Sequence, residues 1–100
     1  MTIRHIVMWR LAAEDPATKA AHSVEIASRL GALVGVIDEI QTLTVSTNVA
    51  YPEQNHDVVL VADYADLDAL DRYQKHPAHV EAASFVRSVV ASRASIYYPL

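Results

Sequence analysis

DVVLVADYADLDALDRYQKHPAHV, residues 57–80, carries the reading on which the fold turns. Its first eight residues, DVVLVADY, have three valines and a closing tyrosine and read as a strand. Ala65-Asp66 then opens a short helix whose one side presents Ala69, Leu70 and Tyr73. Pro77 forces a break, because a residue that precedes proline is pushed out of the helical region. A new helix starts there, with His76 as its cap and Pro77 as its first residue. The stretch is therefore a strand followed by a helix broken in two.

On its N-terminal side, VIDEIQTLTVST (36–47) is a β-branched segment and NVAYPEQN (48–55) has turn and loop chemistry, which together with 57–64 predicts a hairpin. Further upstream, Asp15-Pro16 reads as a helix cap and first residue. The helix runs to about Leu33 with Ser23, Ile26, Ala27, Leu30 and Leu33 or Val34 as its stripe, and Gly35 closes it. TIRHIVMWRL (2–11) is a strand with Ile3, His5, Val7 and Trp9 on one face and Ile6 and Met8, between Arg4 and Arg10, on the other. Downstream, Ala82, Val86, Val89 and Val90 face inward on a helix expected to end near Arg93, and ASIYYPL makes a last strand.

The order is β-α-β-β-α-β, an α+β ferredoxin-like sandwich with a broken second helix, in a single domain spanning residues 1–100. Such a sheet has one face under its helices and one bare, yet the strands are apolar on both. Ile6, Met8 and alternate residues of 58–61 would face water in a monomer, so a symmetric homodimer through the sheet face is expected.

Composition narrows the function classes. With 52% hydrophobic and 20% charged residues, the 100-residue chain has the makeup of one packed domain. A net charge of −4 without a basic cluster argues against nucleic acid and gives no support to a membrane surface. The absence of cysteine removes thiolate nucleophiles and Cys-based metal sites. The N-terminal MTIRHIVMWRL is too interrupted by charge for a signal peptide or a spanning helix, so a soluble cytoplasmic protein is the default expectation.

The residues that could do chemistry gather around the break. His79 sits third in the new helix, where free N–H groups and the helix dipole disfavour a positive charge. It lies three, four and seven residues before Ala82, Ala83 and Val86, so its ring leans toward the sheet. Partial burial would lower its pKa further and leave a neutral proton acceptor, a candidate general base. Tyr73 could supply a phenol as donor or acid, and His5 on the first strand could face the same space. The competing reading is structural: a tyrosine packed inward and a histidine bonded to a loop carbonyl, at a helix corner with no chemistry. His76 and His79 make a poor metal pair across the proline, so no metal is expected. His22 and His56 read as surface residues, and Trp9 as core or cavity lining.

IRHIVMWRL (3–11), LVGV (33–36), HDVVLVADY (56–64) with LDALDRYQKHPAHV (67–80), and IYYP (96–99) together resemble the stress-responsive A/B barrel (Dabb) family over practically the whole chain. HPAHV preceded by a tyrosine is the most specific part, and RHIV is the next. The resemblance implies a ferredoxin-like fold, two sheets paired as a dimeric α/β barrel, and a pocket between each sheet and its helices. A plant polyketide cyclase of this family performs a cofactor-free aldol condensation. Similarity to it implies His79, Tyr73 and His5 as catalytic residues, with Val7, Trp9, His76 and Val58 against the substrate. Val58 stands where that enzyme has a further strand histidine, and His56 is displaced toward the loop. The implied function is a cofactor-independent cyclase or lyase, or a binder of a small aromatic or polyketide-like ligand. The alternative is a non-catalytic stress-response or accessory dimer. Heme or flavin chemistry has no signature in the sequence beyond fold analogy.

Overall fold

A computed structural model describes all residues, 1–100. Strand β1 (Ile3–Leu11) is followed by helix α1 (Pro16–Gly31), strands β2 (Thr42–Thr47) and β3 (Val58–Tyr64), helices α2 (Leu67–Lys75) and α3 (Pro77–Val89), and strand β4 (Val90–Pro99). The four strands form one antiparallel sheet in the order β2-β3-β1-β4. This is the ferredoxin-like α+β fold expected from the order of elements.

Alternation along β1 does what its sequence predicts. Ile3, His5, Val7, Trp9 and Leu11 are buried, and the residues between them are half-buried or exposed. Register carries that face across the sheet: His5 pairs with Ala62 and Tyr97, Val7 with Leu60 and Ser95, and Trp9 with Val58 and Arg93. Onto it pack Ile26 and Leu30 of α1, Ala69, Leu70 and Tyr73 of α2, and Ala82, Val86 and Val89 of α3. Each large aliphatic or aromatic side chain so buried stabilises the fold by roughly 1.5–3 kcal/mol. Helices α1 and α3 also meet where the Arg29 guanidinium lies 4.1 Å over the Phe85 ring.

Caps set the helix starts. Asp15 accepts from the Thr18 N–H at 2.9 Å, Asp66 from Ala69 at 2.8 Å, and the His76 ring from Ala78 at 3.1 Å.

Three expected boundaries differ. Helix α1 ends at Gly31 with Ala32 as its C-cap, and Gly35, at φ 85°, serves the turn beyond it. Residues 36–41 are turns: the N–H of Ile37 bonds to the Leu33 carbonyl and that of Ile40 to Ile37, so the β-branched residues there satisfy their backbone locally. Ile37 is 1% exposed and pins this segment into the core from a turn, where a strand was expected. At the other end, α3 stops at Val89, and Val90 is already extended at φ −108°, ψ 148°. Pairing of Val90 with Leu11 overrides the helical pattern that would run on to Arg93.

The register shifts at Arg10/Leu11, and buried Asp57 stabilises that irregularity. Its carboxylate accepts the Leu11 N–H at 2.8 Å, with Lys19 3.6 Å away. On the open face, Arg4 donates twice to Asp63 at 2.9 and 3.0 Å, and Thr42 donates to the same carboxylate at 3.1 Å. The Arg4 hydrogen bonds hold the Asp63 carboxyl below the usual carboxylate range and raise the guanidinium's own value. Around this polar clamp Ile6, Val59 and Val61 are half-buried, Met8 is 39% exposed and Ile96 is 56% exposed. The bare face carries an apolar patch beside this clamp, as the two-sided strands predict.

Candidate active site

The break between α2 and α3 builds the site. His76 adopts φ −62°, ψ 133°, which ends α2 and redirects the chain into α3. The last carbonyls of a helix have no partner within it. One of these, the carbonyl of Gln74, accepts a hydrogen bond at 3.1 Å from Nδ1 of His79, one turn into the next helix. A carbonyl only accepts, so Nδ1 carries the hydrogen and Nε2 is left as the basic nitrogen. The same turn brings the His79 ring to 4.4 Å from the ring of Tyr73, centroid to centroid.

Tyr73 reaches this place from the apolar stripe of α2, and the opposite wall comes from the inner face of β1. His5, Val7, Trp9, Tyr73 and His79 all line one cavity of about 260 Å³ between the sheet and α2–α3. That volume lies just under the roughly 300–1,000 Å³ typical of ligand sites and suits a small guest. His5 stacks on Tyr97 of β4 at 4.2 Å and 18°, and the Tyr97 hydroxyl accepts from Gln74 Nε2 at 3.2 Å, tying β4 to the end of α2. Behind Tyr73, the fully buried Tyr64 ring lies 4.8 Å away.

Burial sets the protonation states. It lowers the His5 imidazole to about 4, with Arg93 and His79 adding repulsion. It also lowers His79, where the Gln74 carbonyl acts in the opposite sense and Arg87 and His76 add to the depression. The phenol of Tyr73 is raised, chiefly by burial, and stays protonated at neutral pH. Tyr64 is raised as well, again mainly by desolvation. His5 is 5% exposed and neither of its ring nitrogens has a hydrogen-bond partner; the Tyr64 hydroxyl is likewise unpartnered. Such groups are costly unless something else satisfies them.

Two expected contacts fall elsewhere. His76 spends Nδ1 on capping α3, and Val58 is packed in the core on β3, separated from β4 by Trp9 of β1; neither lines the cavity. His22, read as a surface residue, is half-buried with a buried, unpartnered Nδ1. The lining residues with polar or charged groups that were not anticipated from the sequence are Gln74, Arg87, Arg93 and Tyr97. Tyr97 and Arg93 follow only from the β4 register, while Arg87 sits one residue after Val86 on a helix edge that reads as solvent-facing. No group of three or more His, Cys, Asp or Glu side chains converges as metal ligands do.

Residues 3–99 match the Dabb family, described as Stress responsive A/B Barrel Domain. No curated protein matches the chain. Among solved structures, a dimeric protein of unknown function with a ferredoxin-like fold from Bacteroides fragilis superposes at TM-score 0.88 and 26% identity, over 99% of this chain and 96% of that one. Two enzymes are similar in fold at 13% identity. Hydroxynitrile lyase from Passiflora edulis aligns at TM-score 0.77 over 97% of this chain and 91% of its own. The cofactor-independent oxygenase SnoaB from Streptomyces nogalater aligns at 0.78 over 99% and 92%.

Proposed function

The chain belongs to the stress-responsive A/B barrel (Dabb) family, and we propose that it binds a small aromatic or polyketide-like carbonyl compound in the sheet–helix cavity and performs cofactor-independent acid–base chemistry on it. The observation that carries this reading is the juxtaposition of a tautomer-fixed, partly buried imidazole, His79, with a protonated phenol, Tyr73, at the wall of a cavity. A structural helix corner needs the His79–Gln74 hydrogen bond but not the cavity, and it does not need His5 buried with both nitrogens free.

In the chemistry proposed, Nε2 of His79 removes a proton from the carbon beside the ligand's carbonyl. The electron pair of the broken C–H bond moves onto the carbonyl oxygen, where the Tyr73 hydroxyl donates a hydrogen bond to the forming enolate. In a condensation, the enolate carbon attacks a second carbonyl of the same molecule, and the imidazolium returns its proton to the new alkoxide. Run in reverse, the sequence is a lyase. His5, neutral at physiological pH, orients the ligand through its free nitrogens. Pairing of two such chains through the apolar sheet face into a dimeric barrel is part of the proposal and is supported by the dimeric relative.

The test is deuterium exchange at the α-carbon of aryl ketones such as acetophenone, followed by NMR in D₂O. Wild-type protein is expected to accelerate exchange, and His79→Ala to lose roughly 10²–10⁴-fold of that acceleration while circular dichroism shows the fold intact. Tyr73→Phe should retain binding and lose part of the rate. Equal exchange with wild type and His79→Ala would leave the cavity without a base and reduce the imidazole to a helix-corner residue.

A further inference from the structure

The charge in the cavity wall is lopsided. The molecule carries a net charge of −4, yet none of the 14 lining residues is an Asp or Glu, while two are arginines. Five of the eight Lys and Arg side chains sit against a carboxylate: Arg4, Lys19, Arg29, Arg72 and Lys75. Of the three that do not, Arg10 is on the other face of β1, and Arg87 and Arg93 are the two in the cavity. They approach from different elements, Arg87 from the last turn of α3 and Arg93 from the inner face of β4 beside Trp9. Both arginines are solvent-exposed. Two arginines without a carboxylate partner that line one cavity with an unpartnered buried histidine point to a ligand that supplies the missing charge.

We propose that Arg87 and Arg93 are the specificity-determining residues of the cavity and that its guest carries a carboxylate. The ligand class is thus an aromatic or polyketide-type carbonyl acid, with the planar guanidiniums meeting the carboxylate and the carbonyl end turned toward Tyr73 and His79. This rests on the cavity being a ligand site. It also has a mechanistic consequence. Burial is the main cause of the lowered basicity of His5 and His79; Arg93 and Arg87 respectively add to it, and a carboxylate that neutralises them removes that added part. The acid substrate strengthens the base that acts on it, whereas a neutral analogue leaves the imidazole weak.

Trp9 is the sole tryptophan and lines the cavity, so its fluorescence reports occupancy directly. Benzoate and phenylacetate would be titrated against benzamide and phenylacetamide, which match them in shape and lack the charge. Wild-type protein should bind the acids at least about tenfold more tightly than the amides, the scale of one charge-assisted hydrogen bond. The double variant Arg87→Gln/Arg93→Gln should lose that preference by weakening the acids alone. NMR of the His79 ring should show a higher pKa in the acid complexes than in the amide complexes. Equal affinity for acid and amide in the wild type, or a preference that survives in the double variant, overturns anion recognition and leaves the cavity reading standing. Trp9 emission that responds to none of the four compounds overturns both.

Discussion

His79 acquires its acceptor nitrogen from a fault in the backbone. Pro77 prevents α2 from continuing, the interruption leaves the Gln74 carbonyl free, and that carbonyl holds Nδ1–H so that Nε2 is basic. His5 shows the opposite arrangement, for it is buried with no partner at all. Its folded pKa of about 4 lies below the free imidazole's 6.5. Between those values the unfolded chain takes up a proton that the folded chain refuses, so stability falls as pH drops from about 6.5 to about 4 and the loss is complete below that. At 1.36 kcal/mol per unit, His5 accounts for a loss on the order of 3 kcal/mol. Urea denaturation of wild type and His5→Phe at pH 7 and pH 4 should show a smaller acid-induced loss in the variant; identical losses would mean that His5 titrates normally in the folded state. His5, Tyr73 and His79 are legible in the sequence because strand parity and helix spacing alone turn them inward. Arg93 and Tyr97 are not, because which β4 residues lie beside His5 and Trp9 is a matter of register, and register is set by pairing between residues some 90 positions apart.

Among the helices and strands, local signals that involve caps and proline suffice. Asp15-Pro16, Asp66 and His76-Pro77 each start a helix where the sequence says so. What misleads is apolar pattern without a stop signal. Residues 36–41 are β-branched enough for a strand, but their backbone closes on itself in turns and uses Ile37 as an anchor. The α3–β4 junction has neither glycine nor proline, so only tertiary pairing with β1 marks it. His76 divides along the same line: its ring caps α3 and lies outside the cavity. His76→Ala should therefore cost about 1 kcal/mol, lowering the melting temperature by roughly 4–8 °C in a domain of this size, while His76→Asn, which restores a neutral cap acceptor, should recover most of it. Neither change should alter ligand affinity. An affinity loss in His76→Asn at normal stability would return His76 to the binding residues.

The molecule taken entire has a sheet with two unlike faces. The covered face holds the core and the cavity; the bare one carries Ile6, Met8, Val59, Val61 and Ile96 around the Arg4–Asp63 clamp. This surplus of apolar surface is legible in the residue alternation of β1 and β3 alone, since a monomer has no second layer to cover it. Sedimentation equilibrium should give twice the 11.0 kDa chain mass, and Val61→Glu with Ile96→Glu should yield monomers. A monomeric wild type would leave that face without an explanation.

The proposed chemistry stands or falls on His79 being a neutral base that faces a ligand-accessible cavity. An NMR pH titration of the five histidine rings, assigned by single substitutions, with and without benzoate, reads this property at the atom concerned. The His79 pKa should lie below the free imidazole's 6.5, with Nδ1 protonated in the neutral form and a shift on adding benzoate. A His79 that titrates at or above 6.5 and does not respond to benzoate would contradict it.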